Sequence, residues 1–338
     1  MNSLERVLAA VTGGPSDRRA VALMLSLYGS KLTGCPLFDF YNNSDNYAEG
    51  QLAVKERFGV DVLFTPFVLT SIAEAFGSEI KYYSSSPPNM VKPAAPSYEM
   101  FSKIDMAAVE DHPRINYLLE SARKLAAARA SDTAIAAIFL SPMDLPPLLM
   151  GIEAWLETIL FNEAEAEKII TAMSCFFVKT VNSFFSSGVH FVALPAAFCN
   201  PMIVTARIID QIALPYMKAA FAEVKGPIIF HHVGAPMNEF IESLIQLPNV
   251  IGFAVDQSDD LSVSRNIMGS QKVLLGNIDG PTLNKKTPER IRRFCENILE
   301  NRKADSRFVM ASSGADISLS TPEENIDAII ETVKRREA

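Results

Sequence analysis

Eight short apolar runs rich in β-branched residues, most followed by a helical pattern, predict a closed (β/α)8 barrel. The runs are Ala20–Leu27, Asp61–Phe67, Ala134–Leu140, His190–Leu194, Pro227–Phe230, Val250–Val255, Lys272–Leu275 and Arg307–Met310. Short apolar strands alternating with helices imply a parallel sheet, because each return to the same edge needs a crossover. Eight such units suffice to close a barrel. No GxGxxG follows any run, which removes the usual fingerprint of an open, doubly wound sheet. A length of 338 residues suits one such barrel with insertions, so residues 1–338 are read as a single domain.

Along the chain, MNSLERVLAAVTGG at the N-terminus carries charges in a helix-like pattern and lacks a signal peptide's apolar block. After the second run comes a long interruption, residues 77–133, containing KYYSSSPPNMVKPAAPSYEMF and then a helical stretch near Ile115–Ala130. It is read as an inserted lobe or lid beside the barrel mouth, since long loops on that side of a barrel shape its pocket. Thr287-Pro288-Glu289 and Thr321-Pro322-Glu323 each place a capping Thr before a Pro and an acid, the signature of a helix start.

A net charge of −8 argues against a nucleic-acid or anionic-membrane binder, both of which want clustered cations. No run of about 18 apolar residues appears, so no transmembrane helix is expected and the protein is read as cytoplasmic. The four cysteines (Cys35, Cys175, Cys199 and Cys295) form no CxxC pair and suggest neither disulfides nor a cysteine metal site. Only Cys199, just after a strand, falls near a candidate site.

In a barrel the chemistry sits where strands end. Those positions hold Phe67 and Glu74, Met143 and Asp144, Phe198, His231 and His232, Asp256, Asn277 and Asp279, and Ser312. They offer carboxylates, amides, a hydroxyl and imidazoles, with hardly an arginine or lysine to hold a polyanion. The chain's 21 Phe and 13 Met fill cores, but many fall near strand ends and favour an apolar or aromatic ligand. FHHVGAP, Phe230 to Pro236, poses the central question: its histidines could be metal ligands, an acid/base pair, or neither. Alternation along a strand turns His231 or His232, not both, toward the mouth.

GGPSDRRAVALML, EAFGSEI, SPMDLPPLLMGIEAWLE, NPMIVTARIIDQIALPYMKAAF, FHHVG, VLLGNIDGPTLNKKTPERI and MASSGADISLSTPEENIDAII resemble, in order and spacing, the uroporphyrinogen decarboxylase superfamily. They are most similar to its corrinoid-dependent methyltransferase branch. The resemblance implies a (β/α)8 barrel and methyl transfer to or from the cobalt of a corrinoid (cobalamin) carried by a partner protein. Thiol-methylating members hold zinc with a His-x-Cys pair after the fifth strand and a Cys after the eighth. Here His231 matches the histidine, but Val233 and Ala315 stand at the two cysteines, so zinc is left open. True decarboxylases carry an arginine-bearing stretch after the first strand, where this chain reads LSLYGSKLTG.

The resulting expectation is a methyl donor, a methoxylated aromatic, giving its methyl group to cob(I)alamin. His231 and Asp256 are the candidate catalytic residues. His231 would either supply a proton near neutrality or hold a metal, while His232 faces the surrounding helices. Glu74, Phe67, Met143, Phe198, Asn277 and Ser312 are the candidate substrate-binding residues. The expected partners are a corrinoid-binding protein and a small-molecule donor; a homodimer is left open. The alternatives are a decarboxylase-like enzyme, a methylcobamide:thiol methyltransferase with an altered zinc site, and a non-catalytic barrel that binds a corrinoid protein.

Overall fold

All eight runs become parallel strands in a computed structural model that describes residues 1–198 and 200–335. The barrel strands are β1 (Val21–Ala22), β2 (Val62–Phe64), β3 (Ala134–Ile138), β4 (Phe191–Pro195), β5 (Ile228–His231), β6 (Val250–Ala254), β7 (Val273–Asp279) and β8 (Phe308–Ser313). They run in the order β1-β8-β7-β6-β5-β4-β3-β2, every neighbouring pair parallel. The chain is a (β/α)8 barrel, as the alternating pattern predicts.

At the closure between β1 and β2 an aspartate bonds to both the N–H and the carbonyl of Val21. Asp61 donates its N–H to the Val21 carbonyl at 2.9 Å and accepts the Val21 N–H on Oδ2 at 2.9 Å. Its buried carboxylate also takes both guanidinium arms of Arg18, at 2.6 and 3.0 Å, and Arg6 at 3.4 Å. Arg6 belongs to the N-terminal helix Ser3–Thr12, started by an Asn2–Glu5 capping box. The helix lays Val7 and Ala10 into the same apolar cluster as the inward residues of the barrel, so it forms the floor.

A second, larger cluster fills the space between strands and helices. There Phe221, Phe230 and Phe253 stack in succession, with centroid spacings of 5.9 and 5.8 Å. Helix Glu163–Ser186 is long and apolar enough to cross a membrane by length and composition. Its Ile169, Met173, Phe177 and Phe184 are buried in this cluster, which accounts for that hydropathy.

The interruption after β2 divides in two. Helix Pro113–Arg129 is the crossover between β2 and β3, packed on helix Ser44–Phe58. Only residues 77–112 depart from the barrel pattern. They contain the antiparallel hairpin Glu79–Lys81 and Asn89–Lys92. Its tip, Ser85 to Pro88, faces Phe67 and Asp316 across a cleft on the mouth side. Thr287 caps its helix as expected, accepting the Arg290 N–H. Thr321 does not: its carbonyl takes the Tyr28 hydroxyl at 2.7 Å and Lys31 at 3.0 Å, which draws the residue into the core. The last helix therefore starts one residue later, with Pro322 as its cap.

Asp61→Ala should lower stability by about 3–5 kcal/mol, the usual loss when one partner of a buried ion pair is removed. Urea unfolding measures it, and a loss under about 1 kcal/mol would show that closure does not depend on this carboxylate.

Candidate active site

His231 ends β5, in register with Pro195 on one side and Ala254 on the other. Its side chain turns into the barrel, as expected for the inward histidine, and lines an apolar hollow with Ser312 at the mouth end. Nδ1 accepts the Val233 N–H at 3.3 Å, while the buried Nε2 has no partner. A neutral imidazole carries one hydrogen, so it sits on Nε2. Burial, helped by His232 and opposed by Asp256, pushes the His231 pKa down to about 3. This corrects the expectation of an imidazole titrating near neutrality. Burial thus favours the neutral ring, which presents an N–H and not an acid near neutrality.

His232 also departs from its expected place. β5 ends at His231, so strand alternation no longer applies, and His232 lies in the mouth instead of facing the helices. Its ring stacks on that of His231 at 4.8 Å between centroids. Nε2 accepts the N–H of Gly314, beyond β8, at 2.7 Å, and Nδ1 lies 3.0 Å from Asp256 Oδ2. The Gly234 N–H also approaches Nδ1, at 2.9 Å. Because Nε2 faces a donor, the single hydrogen must be on Nδ1, so the Asp256 contact is the one that holds there. Burial lowers the His232 pKa against the opposing pull of Asp256 and Asp259. His232 thus straps the loop after β8 to the loop after β6.

Asp256 is in turn held by Ser258, whose N–H and hydroxyl lie 2.8 and 2.6 Å from Oδ1. Burial raises its pKa, but these bonds and His232 outweigh that, and the net direction is downward. Asn277 fastens the same loop, donating to the carbonyls of Asp256 and Asp259 at 3.0 Å each. Ser312 Oγ accepts the Met24 N–H at 2.8 Å. The Phe67 ring meets His231 edge-on at 6.4 Å. These residues are brought together.

Four others are not. Glu74 is held by Arg114 at 2.7 Å and by the Tyr82 hydroxyl at 2.7 Å, tying the hairpin to a crossover helix. Met143 is fully buried in the core. Phe198 packs its ring on Trp155, 6.5 Å away. Asp279 is engaged by Thr282 and Lys286. Cys199 lies outside the described residues.

Two buried carboxyls with raised pKa values were not among the candidate catalytic or binding residues. Asp144 accepts the Phe198 N–H at 2.6 Å and the Ser141 hydroxyl, yet burial pushes its pKa up to about 6. Asp316 accepts the Leu27 N–H at 3.2 Å and lines the cleft of about 770 Å³ beneath the hairpin tip. Burial, partly offset by backbone bonds from Leu27 and Ser26, pushes it up to about 7. The only sequence signal for either was a carboxylate next to a strand end.

The residues do not fit the zinc site of the thiol-methylating pattern. Val233 and Ala315 bring no donor atom. A zinc-binding histidine donates its other ring N–H outward, whereas His231 Nδ1 accepts one. Among the described residues no group of three or more His, Cys, Asp or Glu is placed to hold a metal.

A (β/α)8 barrel with a paired-histidine mouth and an apolar interior defines the structural class. The uroporphyrinogen decarboxylase (URO-D) family model matches residues 2–336, so the chain belongs to that family. Among curated proteins it is similar to the methylcobamide:CoM methyltransferase MtaA of Methanosarcina barkeri, 21% identical over 334 residues, covering 96% of this chain and 95% of that protein. Among solved structures, a methyltransferase from Methanosarcina mazei superposes with a TM-score of 0.87 at 19% identity, covering 99% of both chains. A B12-independent methionine synthase from Shewanella sp. follows at a TM-score of 0.58 and 12% identity, covering 86% of this chain and 88% of that one.

Asp316 gives a pH prediction. A carboxyl raised from 3.8 to about 7 binds more protons folded than unfolded between those values, so its contribution to stability is lost as pH rises through that window. Asp316→Asn should therefore gain stability relative to wild type between pH 5 and pH 8 in urea unfolding. A constant difference across that range would refute the assignment.

Proposed function

We propose that this protein is a corrinoid-dependent methyltransferase that moves a methyl group from a methoxylated aromatic to the cob(I)alamin of a cytoplasmic partner protein. Family membership and the methyltransferase relatives support the class. The observation that carries the direction is the state of His231, a neutral imidazole presenting an N–H with no sulfur ligand beside it among the described residues. Such a site has no means of making a thiolate, so a thiol acceptor is disfavoured.

Cobalt(I) is itself the nucleophile, and what needs help is the leaving oxygen. The cobalt electron pair forms the Co–C bond and the C–O pair stays on oxygen, so cobalt rises from I to III. His231 Nε2–H holds the developing oxyanion, which then takes a proton from solvent. A neutral imidazole cannot deliver a full proton in that step. This favours a phenolate, whose acid titrates near 10, over an alkoxide, whose acid is far weaker.

The mouth also disfavours a polycarboxylate substrate of the decarboxylase kind. No lysine or arginine lines the cleft among the described residues. Lys31, in the stretch after β1, is tied to the Tyr28 hydroxyl and to the carbonyls of Leu319 and Thr321, at 2.9 to 3.0 Å.

The protein should leave the methylcobalamin spectrum unchanged when mixed with homocysteine or coenzyme M, and should methylate cob(I)alamin when given a methoxyarene. Rapid thiol-dependent loss of methylcobalamin would overturn the reading. His231→Ala, checked for folding by thermal unfolding, should slow transfer by roughly 10²–10³, the usual effect of removing one oxyanion donor. Near wild-type turnover in the folded variant would remove His231 from the mechanism.

A further inference from the structure

Two spaces adjoin the histidine pair, and they differ in size. The hollow inside the barrel is ringed by Ala22, Ala136, Ala193, Ala254 and Ala311 and measures about 60 Å³. A water needs about 10–15 Å³ by that measure, so the hollow admits a few water-sized groups and no aromatic ring. The cleft beneath the hairpin tip measures about 770 Å³, inside the roughly 300–1,000 Å³ range of small-molecule pockets. Phe67 on its wall meets the His231 ring at 6.4 Å. Ala315, also on the wall, follows Gly314, whose N–H His232 holds. Each histidine therefore stands one residue behind the cleft.

The cleft has one titratable group among its described lining residues, Asp316; the rest are apolar side chains and hydroxyls. Asp316 is half-buried, so a ligand in the cleft can reach it. The Leu27 N–H, 3.2 Å from Oδ1, and the Ser26 N–H hold its carboxyl, and no described side chain pairs with it. A carboxylate offers about four lone-pair sites, so two backbone bonds orient the group and leave it able to bind more. Burial raises its pKa to about 7, so both protonation states are present near neutrality. A hydroxyl suits both, since it donates to the carboxylate and accepts from the carboxylic acid. An ammonium suits only the ionised form. A ligand carboxylate would meet like charge and no cation among the described lining residues, and would lose its hydration.

We infer that the cleft is the donor's binding site and that Asp316 selects within it: the ligand is a neutral methoxyarene bearing a ring hydroxyl, which bonds the open side of the Asp316 carboxyl while the ring lies against Phe67. This deepens the methyl-transfer reading above, on which the methoxy group rests; the ring and its hydroxyl rest on the cleft. Asp316 touches the hydroxyl, not the methyl carbon, and so sets specificity without entering the transfer step.

The test is saturation-transfer NMR of the three methoxyphenols against the whole protein without corrinoid, with anisole and the three methoxybenzoates for comparison. At least one methoxyphenol should bind saturably, about tenfold more tightly than anisole and than the benzoate of the same ring pattern, the order of one hydrogen bond. Asp316→Leu should weaken that methoxyphenol about tenfold and leave anisole little changed, whereas a merely structural role would weaken both alike. Asp316→Ala serves if thermal unfolding shows the leucine variant misfolded. No saturable methoxyphenol, no preference over anisole, or an undiminished preference in the folded Asp316 variant overturns the assignment. If a methoxyphenol binds in this pattern but wild type never methylates cob(I)alamin from it, the cleft assignment stands and the transfer reading falls. If cob(I)alamin is methylated as fast from anisole as from any methoxyphenol, in wild type and in the folded Asp316 variant, the transfer reading stands and the cleft assignment falls.

Discussion

A neutral imidazole has one hydrogen to give, and the whole mouth is arranged around where each histidine keeps it. The Gly314 N–H forces the hydrogen of His232 onto Nδ1, where Asp256 accepts it. The Val233 N–H forces that of His231 onto Nε2, where nothing accepts it. Two adjacent, stacked rings of the same chemistry thus take opposite tautomers. One is saturated and structural; the other is left with a donor facing an apolar space. Burial keeps both neutral, since a second proton on His232 would put two donors face to face at Gly314.

The floor and the closure of the barrel are a single electrostatic unit. Asp61 joins β1 to β2, and through Arg6 it also anchors the helix whose Val7 and Val11 line the hollow. Alanine at the inward positions gives up apolar burial that a leucine or valine would provide, at about 25 cal/mol per Å². Such loss is tolerable where the shell outside the strands is dense, as the stacked phenylalanines make it here.

Much of this was legible in the sequence, and the limits have physical causes. The barrel was readable because β-branched runs and crossover helices have distinct periods, and all eight runs fell on strands. Strand alternation allowed one inward histidine and the resemblance to the zinc-ligand histidine chose His231, while Phe67, Asp256, Asn277 and Ser312 fell near it because strand ends converge. Glu74 and Phe198 were misassigned because a strand-end position does not reveal what a side chain finds across the fold: Arg114 in one case, Trp155 in the other. His232 was misplaced because alternation was carried one residue past the strand. Asp316 and the alanine layer were missed for opposite reasons. A carboxylate's partners are tertiary, and an alanine looks unremarkable until its neighbours around the barrel are also small.

Val233 does more than stand where the resemblance implies a cysteine. Val233 adopts φ 52°, in the left-handed region that β-branched residues avoid. A conformation of that kind costs on the order of 1–3 kcal/mol and persists only where the surroundings impose it. Here it aims the Val233 N–H back at His231 Nδ1, and that contact fixes the tautomer. In a zinc site the same ring would need its Nδ1–H turned outward and its Nε2 lone pair free for the metal. The backbone of this one residue therefore works against metal binding and in favour of an N–H donor. A side chain that offers no donor atom and a ring whose hydrogen sits on Nε2 are two parts of one local arrangement.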